Sequence, residues 1–219
     1  MQIKSLHTWP SSTSEAREIQ EKFRSQVVRT SVVHDVSRVA GVDIGFENHG
    51  KVTRAAIVVL DFENLTLIEK QIVRAKTSFP YVPGYLSFRE IPAALKGFEK
   101  LKNTPDLILC DGQGIAHPRR FGLACHLGLW TDIPCIGVAK SRLIGSYQEP
   151  ASKKGSWKPL MDKEEVIGAV LRTRDNVSPL FISIGHLVDL PTAINYTLRC
   201  TTKYRLPETT RWAHKLASN

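Results

Sequence analysis

Three acidic side chains stand beside stretches that predict buried strands or a helix start. Asp43 interrupts the apolar residues 39–46, Asp111 directly follows the apolar residues 107–110, and Glu90 comes shortly after a segment rich in proline and glycine. A carboxylate buried without a partner costs several kcal/mol or takes up a proton, so Asp43 and Asp111 must be ion-paired, hydrogen-bonded or bound to metal. A structural ion pair remains open for Asp43, as does a solvated helix-start position for Glu90.

Together the three acids offer a specific chemistry. Carboxylate oxygens are the ligands that Mg²⁺ and Mn²⁺ prefer, whereas zinc favours sulfur and nitrogen. In a basic chain such a cluster predicts metal-assisted phosphodiester hydrolysis. Lys140 follows the apolar residues 134–139 and could balance phosphate charge in the transition state, with a solvated strand-end lysine as the alternative. Taken singly, the histidines in plausible helix or loop positions are more typical of structural residues: His117, His126, His186 and His214.

The segments that carry these residues predict a mixed α/β architecture in a single domain over residues 1–219. Strands over 39–46, 52–60 and 65–76, separated by turns, form an antiparallel meander. Buried strands follow at 107–110 and 134–140, and Pro118 suits the first position of a helix over 119–128. Other predicted elements are helices over 15–28, 87–102 (interrupted or restarted at Pro92), 191–203 and 208–217, strands over 165–172 and 180–184, and a surface loop over 146–159. This order is that of a ribonuclease H-like fold with helices flanking the sheet, although other α/β folds share it.

Composition limits the class of protein. The formal net charge is +9, and basic residues recur near the predicted loops, which favours a polyanionic partner. No apolar run reaches the roughly 20 residues of a membrane span. The four cysteines show no C-x-x-C pair, and the first residues lack the pattern of an export signal. These features predict a cytoplasmic protein with reduced thiols and no membrane partner.

Several blocks of sequence resemble the endonuclease V family of deoxyinosine-specific DNA repair nucleases. Four blocks carry the resemblance: VDIG at 42–45, PYVPG at 80–84 with FRE at 88–90, the long block from DGQG at 111–114 through HPR at 117–119 to Gly128, and GVAK at 137–140. Two later blocks support it: SIGH at 183–186, and YRLP at 204–207 with Thr210 and Arg211. Two positions depart from the family, since Val82 replaces a common isoleucine and Asp189 stands where serine is usual.

The resemblance implies a Mg²⁺-dependent enzyme, with Mn²⁺ as a substitute metal. It would cut the second phosphodiester bond on the 3′ side of hypoxanthine, leaving 3′-hydroxyl and 5′-phosphate ends. The resemblance makes Asp43, Glu90 and Asp111 the catalytic and metal-binding acids. It also makes His214 a catalytic residue near the metal, and it sets Lys140 beside the scissile phosphate.

The resemblance further implies recognition by base flipping, which costs least for a weakly paired base. Tyr81, braced by Pro80, Val82 and Pro83, would be the wedge that fills the gap. The pocket for the flipped base would contain Gly84, Leu86, Gly112, Gly114, Gly122 and Leu143. Backbone amides donating to its O6 atom would separate hypoxanthine from adenine. The DNA backbone would contact Arg89, Arg119 and Arg120.

The partner implied is deoxyinosine-containing DNA, bound by a monomer. Two alternatives stay open at this point. One is an endoribonuclease for inosine-containing RNA, and the other is a non-catalytic lesion-binding protein.

Overall fold

The computed structural model describes residue 1 and residues 3–218, in which eight strands form one mixed sheet. The strands are β1 (Arg38–Glu47), β2 (Val52–Asp61), β3 (Leu67–Lys76), β4 (Leu107–Cys110), β5 (Cys135–Ala139), β6 (Trp157–Asp162), β7 (Glu165–Leu171) and β8 (Leu180–His186). The helices are α1 (Thr13–Phe23), α2 (Leu86–Glu99), α3 (Leu123–Thr131), α4 (Leu190–Arg199) and α5 (Glu208–Ala217), with a short 3₁₀ turn at Arg24–Gln26.

The sheet has the order β3-β2-β1-β4-β5-β8-β7-β6. Strands β1, β2 and β3 form the antiparallel meander, and β4 and β5 continue the sheet parallel to β1. Strands β8, β7 and β6 complete it with antiparallel pairings. A meander joined to parallel strands, with helices on both faces, confirms the predicted ribonuclease H-like α/β fold.

Both faces of the sheet are covered, which explains the continuous apolar runs of its central strands. Helices α2 and α3 pack on one face and α4 and α5 on the other. The core of the first face includes Ile57, Val59, Ile91, Phe98 and Leu127. The core of the second includes Val58, Leu60, Leu109, Ile194 and Ala213. Because alternate residues of β2 enter opposite cores, this strand stabilises both layers.

Helix α5 lies unusually close to β1 because two glycines offer no side chain there. A Cβ atom on Gly41 would lie 2.1 Å from the carbonyl oxygen of Thr209, and one on Gly45 would lie 2.2 Å from that of Ala217. Alternation puts Asp43 on the same face as these glycines, as the sequence predicted. The close approach therefore brings α5 directly over Asp43.

The segment after β4 differs from its prediction. Pro118 does not begin a helix, because α3 begins at Leu123 with Gly122 as its N-cap residue. The intervening chain turns back on itself: the amide of Gly122 donates to Gly114 O (3.0 Å), and Arg120 adopts a φ of 56°. Residues 111–122 thus form a compact loop rather than the first turns of a helix.

Other boundaries also required correction. Helix α2 passes through Pro92 without a break, because the buried face of the helix holds it against the sheet. Strand β6 begins inside the predicted surface loop, where pairing with β7 outweighs a polar sequence. Helix α1 ends at Phe23 rather than at residue 28, and α4 ends at Arg199 rather than at residue 203. Among the described residues, no helix combines the length and apolar character that crossing a membrane requires.

The contact between Gly41 and α5 gives a test of this packing. Gly41→Ala forces a methyl group against the Thr209 backbone, so we expect the free energy of unfolding to fall by about 1–3 kcal/mol. Urea denaturation measures the change. Val166→Ala, at an exposed position of β7, is the control and should change it by less than about 0.5 kcal/mol. A Gly41→Ala variant as stable as the wild type would contradict the close packing of α5.

Candidate active site

Two of the predicted acids meet where the parallel pairing of β1 with β4 ends: Asp43 lies in the middle of β1, and Asp111 directly follows β4. Val42 of β1 pairs with Cys110 of β4. Asp43 and Asp111 are the residues that directly follow this pair in the two segments. The amide of Asp111 donates to Val42 O (3.1 Å), which continues the pairing by one step. The edge where parallel strands end is where α/β sheets place their ligands. The strand register alone therefore brings these two carboxylates together.

Helix α5 adds an imidazole to the pair. His214 Nδ1 lies 2.7 Å from Asp43 Oδ2, while Asp43 Oδ1 accepts a hydrogen bond from the amide of Ile44 (2.9 Å). One ligand atom from each of Asp43, Asp111 and His214 lies within 4.8 Å of the others. Two carboxylates and an imidazole are a donor set that fits a divalent cation.

Glu90 approaches the same acids from α2 but lies outside that compact group. Burial, followed by the negative charges of Asp43 and Asp111, raises the pKa of Glu90 to about 8. Burial and the charge of Asp111 also raise the pKa of Asp43, against the hydrogen bond from His214. In the metal-free protein at neutral pH, the Glu90 carboxyl therefore holds a proton. A cation bound at this place would supply the positive charge that the proton supplies now.

Lys140 occupies the position after β5 and forms an ion pair with Asp111. The Lys140 side chain is 37% exposed, whereas that of Asp111 is 12% exposed. Lys140 therefore neutralises one of the buried acids while remaining open to solvent. This is the arrangement expected of a lysine that can also contact a phosphate.

A cavity of about 360 Å³ adjoins the acids, and Glu90, Asp111 and Lys140 form part of its wall. Its other lining residues include five of the six predicted pocket residues, together with two of the wedge: Gly84, Leu86, Gly112, Gly122, Leu143, Tyr81 and Pro83. Gly114 is not part of the lining. Its amide donates to Ser183 Oγ (2.8 Å), and a Cβ atom there would lie 1.9 Å from Ile184 O. Gly114 is thus a packing residue beneath the cavity.

The predicted wedge is an exposed tip on a firmly held loop. The Tyr81 side chain is 68% exposed, whereas Phe79 at the start of the loop is buried. Gly84, at the end of the loop, has a φ of 81° and a carbonyl that accepts three hydrogen bonds. The donors are Gln20 (3.0 Å), His117 (3.0 Å) and Arg119 (2.8 Å). The sequence analysis did not identify Gln20, and it treated His117 as a structural residue. The one signal for His117 was its position in the long third block of the resemblance.

The tautomer of His117 follows from its partners. The Arg119 amide donates to His117 Nδ1 (3.2 Å), so the proton of a neutral ring is on Nε2 and is donated to Gly84 O. Burial and the nearby Arg119 charge lower the pKa of His117 to about 4. The ring therefore stays neutral, and its brace on the loop persists, at physiological pH.

The three arginines that were predicted to contact the DNA backbone make internal contacts in this structure, and their contact with DNA stays a prediction. Arg120 forms ion pairs with Asp162 (2.6 Å) and Glu165 (2.7 Å). Arg89 donates to the carbonyl oxygens of Phe79 and Gly50 (3.0 Å each), and Arg119 donates to Gly84 O and Gln20 Oε1. Each of the three guanidinium groups therefore helps to hold the surrounding loops, and each keeps N–H donors that these contacts do not use.

Comparison with known proteins identifies the family. The model of the Endonuclease V family matches residues 21–215 of the chain. The Endonuclease V of Rippkaea orientalis is 57% identical over 219 residues, covering 100% of this chain and 96% of that relative. The chain belongs to the Endonuclease V family.

Solved Endonuclease V structures agree in fold. The crystal structure of Endonuclease V from Streptomyces avermitilis has a TM-score of 0.91 and 45% identity, covering 96% of this chain and 93% of that one. A Ciona intestinalis Endonuclease V (D234N), in complex with a 23mer DNA containing an inosine followed by a ribo-adenosine, has a TM-score of 0.83 and 30% identity, covering 94% and 95%. Membership makes the chain a metal-dependent nuclease acting on DNA, and the acidic group of Asp43, Asp111 and His214 is a possible site for the metal.

One departure from the Endonuclease V pattern has a simple structural explanation. Asp189, where the family usually has serine, is the N-cap residue of α4, and its Oδ1 accepts a hydrogen bond from the Thr192 amide (2.8 Å). Serine and aspartate are both favoured at this position. The replacement therefore preserves the cap.

The raised pKa of Glu90 predicts a pH dependence of stability. Between its ordinary pKa of 4.5 and the folded value of about 8, the folded protein keeps a proton that the unfolded chain has released. The free energy of unfolding of the metal-free protein therefore falls as pH rises through this window. Glu90→Gln is neutral throughout, so at pH 8 it should exceed the wild type in stability by roughly 1–4 kcal/mol.

Urea denaturation with a chelator present, at about pH 4.5 and pH 8, measures this difference, which should disappear at the lower pH. Glu99→Gln changes an exposed acid of the same helix and serves as the control. Parallel pH profiles for the wild type and Glu90→Gln would show that Glu90 does not hold its proton in the folded protein.

Proposed function

We propose that this nuclease is Mg²⁺-dependent and cuts DNA at deoxyinosine, hydrolysing the second phosphodiester bond on the 3′ side and leaving 3′-hydroxyl and 5′-phosphate ends. The observation that carries the proposal is a single cavity whose wall includes Glu90, Asp111 and Lys140. When a base occupies this cavity, the phosphodiester backbone of the same strand lies close to the acids. Support comes from the Ciona intestinalis relative, whose complex contains inosine-bearing DNA.

Each side chain of the site has a part in the reaction. Asp43, Asp111 and Glu90 supply the carboxylates for the cation, and His214 orients Asp43 through its hydrogen bond. When bound, the cation supplies Lewis-acid stabilisation and a water of lowered pKa. Lys140, which pairs with Asp111 in this structure, would use its ammonium group to balance charge on the scissile phosphate.

Selectivity for hypoxanthine is assigned to the first turn of α2. Leu86 and Ser87 line the cavity, and in the described part of the chain the amide of neither residue donates to a backbone carbonyl. Free amides at a helix start suit the carbonyl oxygen O6 of hypoxanthine. Adenine has an amino group at this position, so two donors would face each other. The exposed Leu143 supplies an apolar wall.

The loop over residues 79–84 completes recognition. Tyr81 stacks in the space that the flipped base leaves, while Pro80, Val82 and Pro83 restrict the backbone around it. Phe79 and Gly84 anchor the loop at its two ends. Inserting the Tyr81 ring therefore restricts few other residues. The protein acts as a monomer in this proposal, because one chain contains the acids, the cavity and the wedge.

Asp111 gives the direct test of catalysis. Asp111→Asn keeps the shape of the side chain but removes its charge, so kcat for nicking an inosine-containing duplex in Mg²⁺ should fall at least about 100-fold. Asp35→Asn changes an exposed acid elsewhere and should retain the wild-type rate. Wild-type activity in Asp111→Asn would refute the acidic site. Faster cutting of a matched inosine-containing RNA strand would make RNA the main substrate.

Tyr81 gives the test of recognition. Stacking on a base contributes about 1–3 kcal/mol, so Tyr81→Ala should lower the kcat/KM ratio of inosine over normal DNA by about tenfold. Tyr81→Phe keeps the ring and should keep the ratio. Binding of Mn²⁺, followed by calorimetry, should be unchanged in both. An undiminished preference for inosine in Tyr81→Ala would exclude the wedge.

A further inference from the structure

A second cavity, of about 450 Å³, lies on the other side of Lys140. Lys140 is the one described residue that lines both this cavity and the cavity assigned to the base. The remaining wall comes from the loop after β5, the loop between β7 and β8, and the segment before α5. Besides Lys140, its polar lining residues are Tyr147, Glu149, Arg172, Asn176, Ser178 and Arg205. The position of Lys140 makes the two cavities neighbours across the site of hydrolysis.

Arg205 gives this second cavity a positive charge without a matching acid. Its guanidinium donates to the carbonyl oxygens of Ser178 (2.8 Å), Pro179 (2.8 Å) and Lys140 (2.9 Å). No carboxylate of the described chain lies within ion-pair distance of it, and its Nη1 atom has no protein hydrogen-bond partner there. Burial lowers the pKa of Arg205, against the attraction of Asp111. An anion in the cavity would compensate this charge.

Arg172, which lines the same cavity, differs from Arg205 because an acid neutralises its charge. Its guanidinium pairs with Glu149 (2.7 Å) and donates to the carbonyl oxygens of Pro150 and Ala151 (2.9 and 3.2 Å) and to that of Val177. Arg172 is therefore compensated by its surroundings and serves to hold the walls together. Of the two arginines, only Arg205 has charge and donors to offer a ligand.

Neutral polar groups complete the lining. The side chains of Tyr147, Asn176 and Ser178 have no hydrogen-bond partner in the part of the chain that the structure covers, so their donors and acceptors are free. The Tyr147 ring is held by an edge-on contact with Phe181, at 5.5 Å between ring centroids. A cation with hydroxyl and amide groups around it suits a phosphodiester joined to a sugar and a base.

We propose that this second cavity is the subsite for the nucleotide that follows the cleaved bond, with Arg205 contacting the next phosphodiester. The inference rests on the proposed function. If the base occupies the first cavity and the scissile phosphate lies at Lys140, the strand must continue past Lys140 in the 3′ direction. The second cavity is the space that the strand then meets. Its role is to bind the departing 5′-phosphate strand, and it makes cutting depend on nucleotides beyond the break.

The test uses inosine-containing strands in which a neutral methylphosphonate replaces the first phosphodiester beyond the cleaved bond. For the wild type, we expect KM to rise about tenfold, as loss of a charged hydrogen bond implies, with little change in kcat. Arg205→Gln should have a raised KM already, and the neutral linkage should add nothing to it. Arg205→Lys retains the charge and should retain the sensitivity.

Matched controls separate this subsite from general charge effects. Arg174→Gln removes a charge from the same loop region without altering the lining of the cavity, and should respond to the neutral linkage as the wild type does. A methylphosphonate two linkages to the 5′ side of inosine should affect the wild type and Arg205→Gln equally.

An unchanged wild-type KM with the neutral linkage would overturn the subsite, even if Arg205→Gln failed to fold. Equal increases in the wild type and Arg205→Gln would overturn it as well. If the wild type cut no inosine-containing strand at all, the proposed function would fail, and the subsite with it.

Discussion

Mutual repulsion among three buried carboxyl groups is the constraint on which the site depends. The fold reduces this repulsion in a different way for each acid. Asp111 pairs with Lys140, Asp43 pairs with His214, and Glu90 keeps a proton. A divalent cation held by the three acids would supply positive charge to all of them at once, while His214 would keep its hydrogen bond to Asp43. With that charge in place, the acids would no longer need the proton on Glu90 or the ammonium group of Lys140 for compensation, and Lys140 could contact a phosphate.

The fold meets this constraint with elements from distant parts of the chain. Register between β1 and β4 aligns two acids, and the absence of side chains at Gly41 and Gly45 lets α5 bring His214 to within 2.7 Å of Asp43. The apolar cores on both faces of the sheet hold these elements in place. The stability of the two layers thus offsets the electrostatic cost of the acids between them.

The sequence predicted structure correctly where the conformation depends on neighbouring residues in the chain. Apolar strand patterns predicted the meander and the two central strands, and acids beside those patterns marked Asp43 and Asp111. Prediction failed where tertiary contacts override local preference. Pro118 suits a helix start, but the bond from Gly122 to Gly114 turns the chain first. The ion pairs of Arg120 with Asp162 and Glu165, more than forty residues away in sequence, were equally beyond local rules, and the predicted contact of Arg120 with the DNA backbone stays a prediction.

The internal contacts of the arginines lead to a different view of lesion recognition. Arg89 and Arg119 are partly buried, and they donate to the carbonyl groups at the two ends of the loop that carries Tyr81. In the proposed recognition, a loop whose ends are fixed would lose little conformational freedom when Tyr81 enters a duplex, so more of the stacking energy would remain for separating the base from its partner. Under that proposal, the protein would contribute to opening the duplex chiefly through rigid support of one exposed ring.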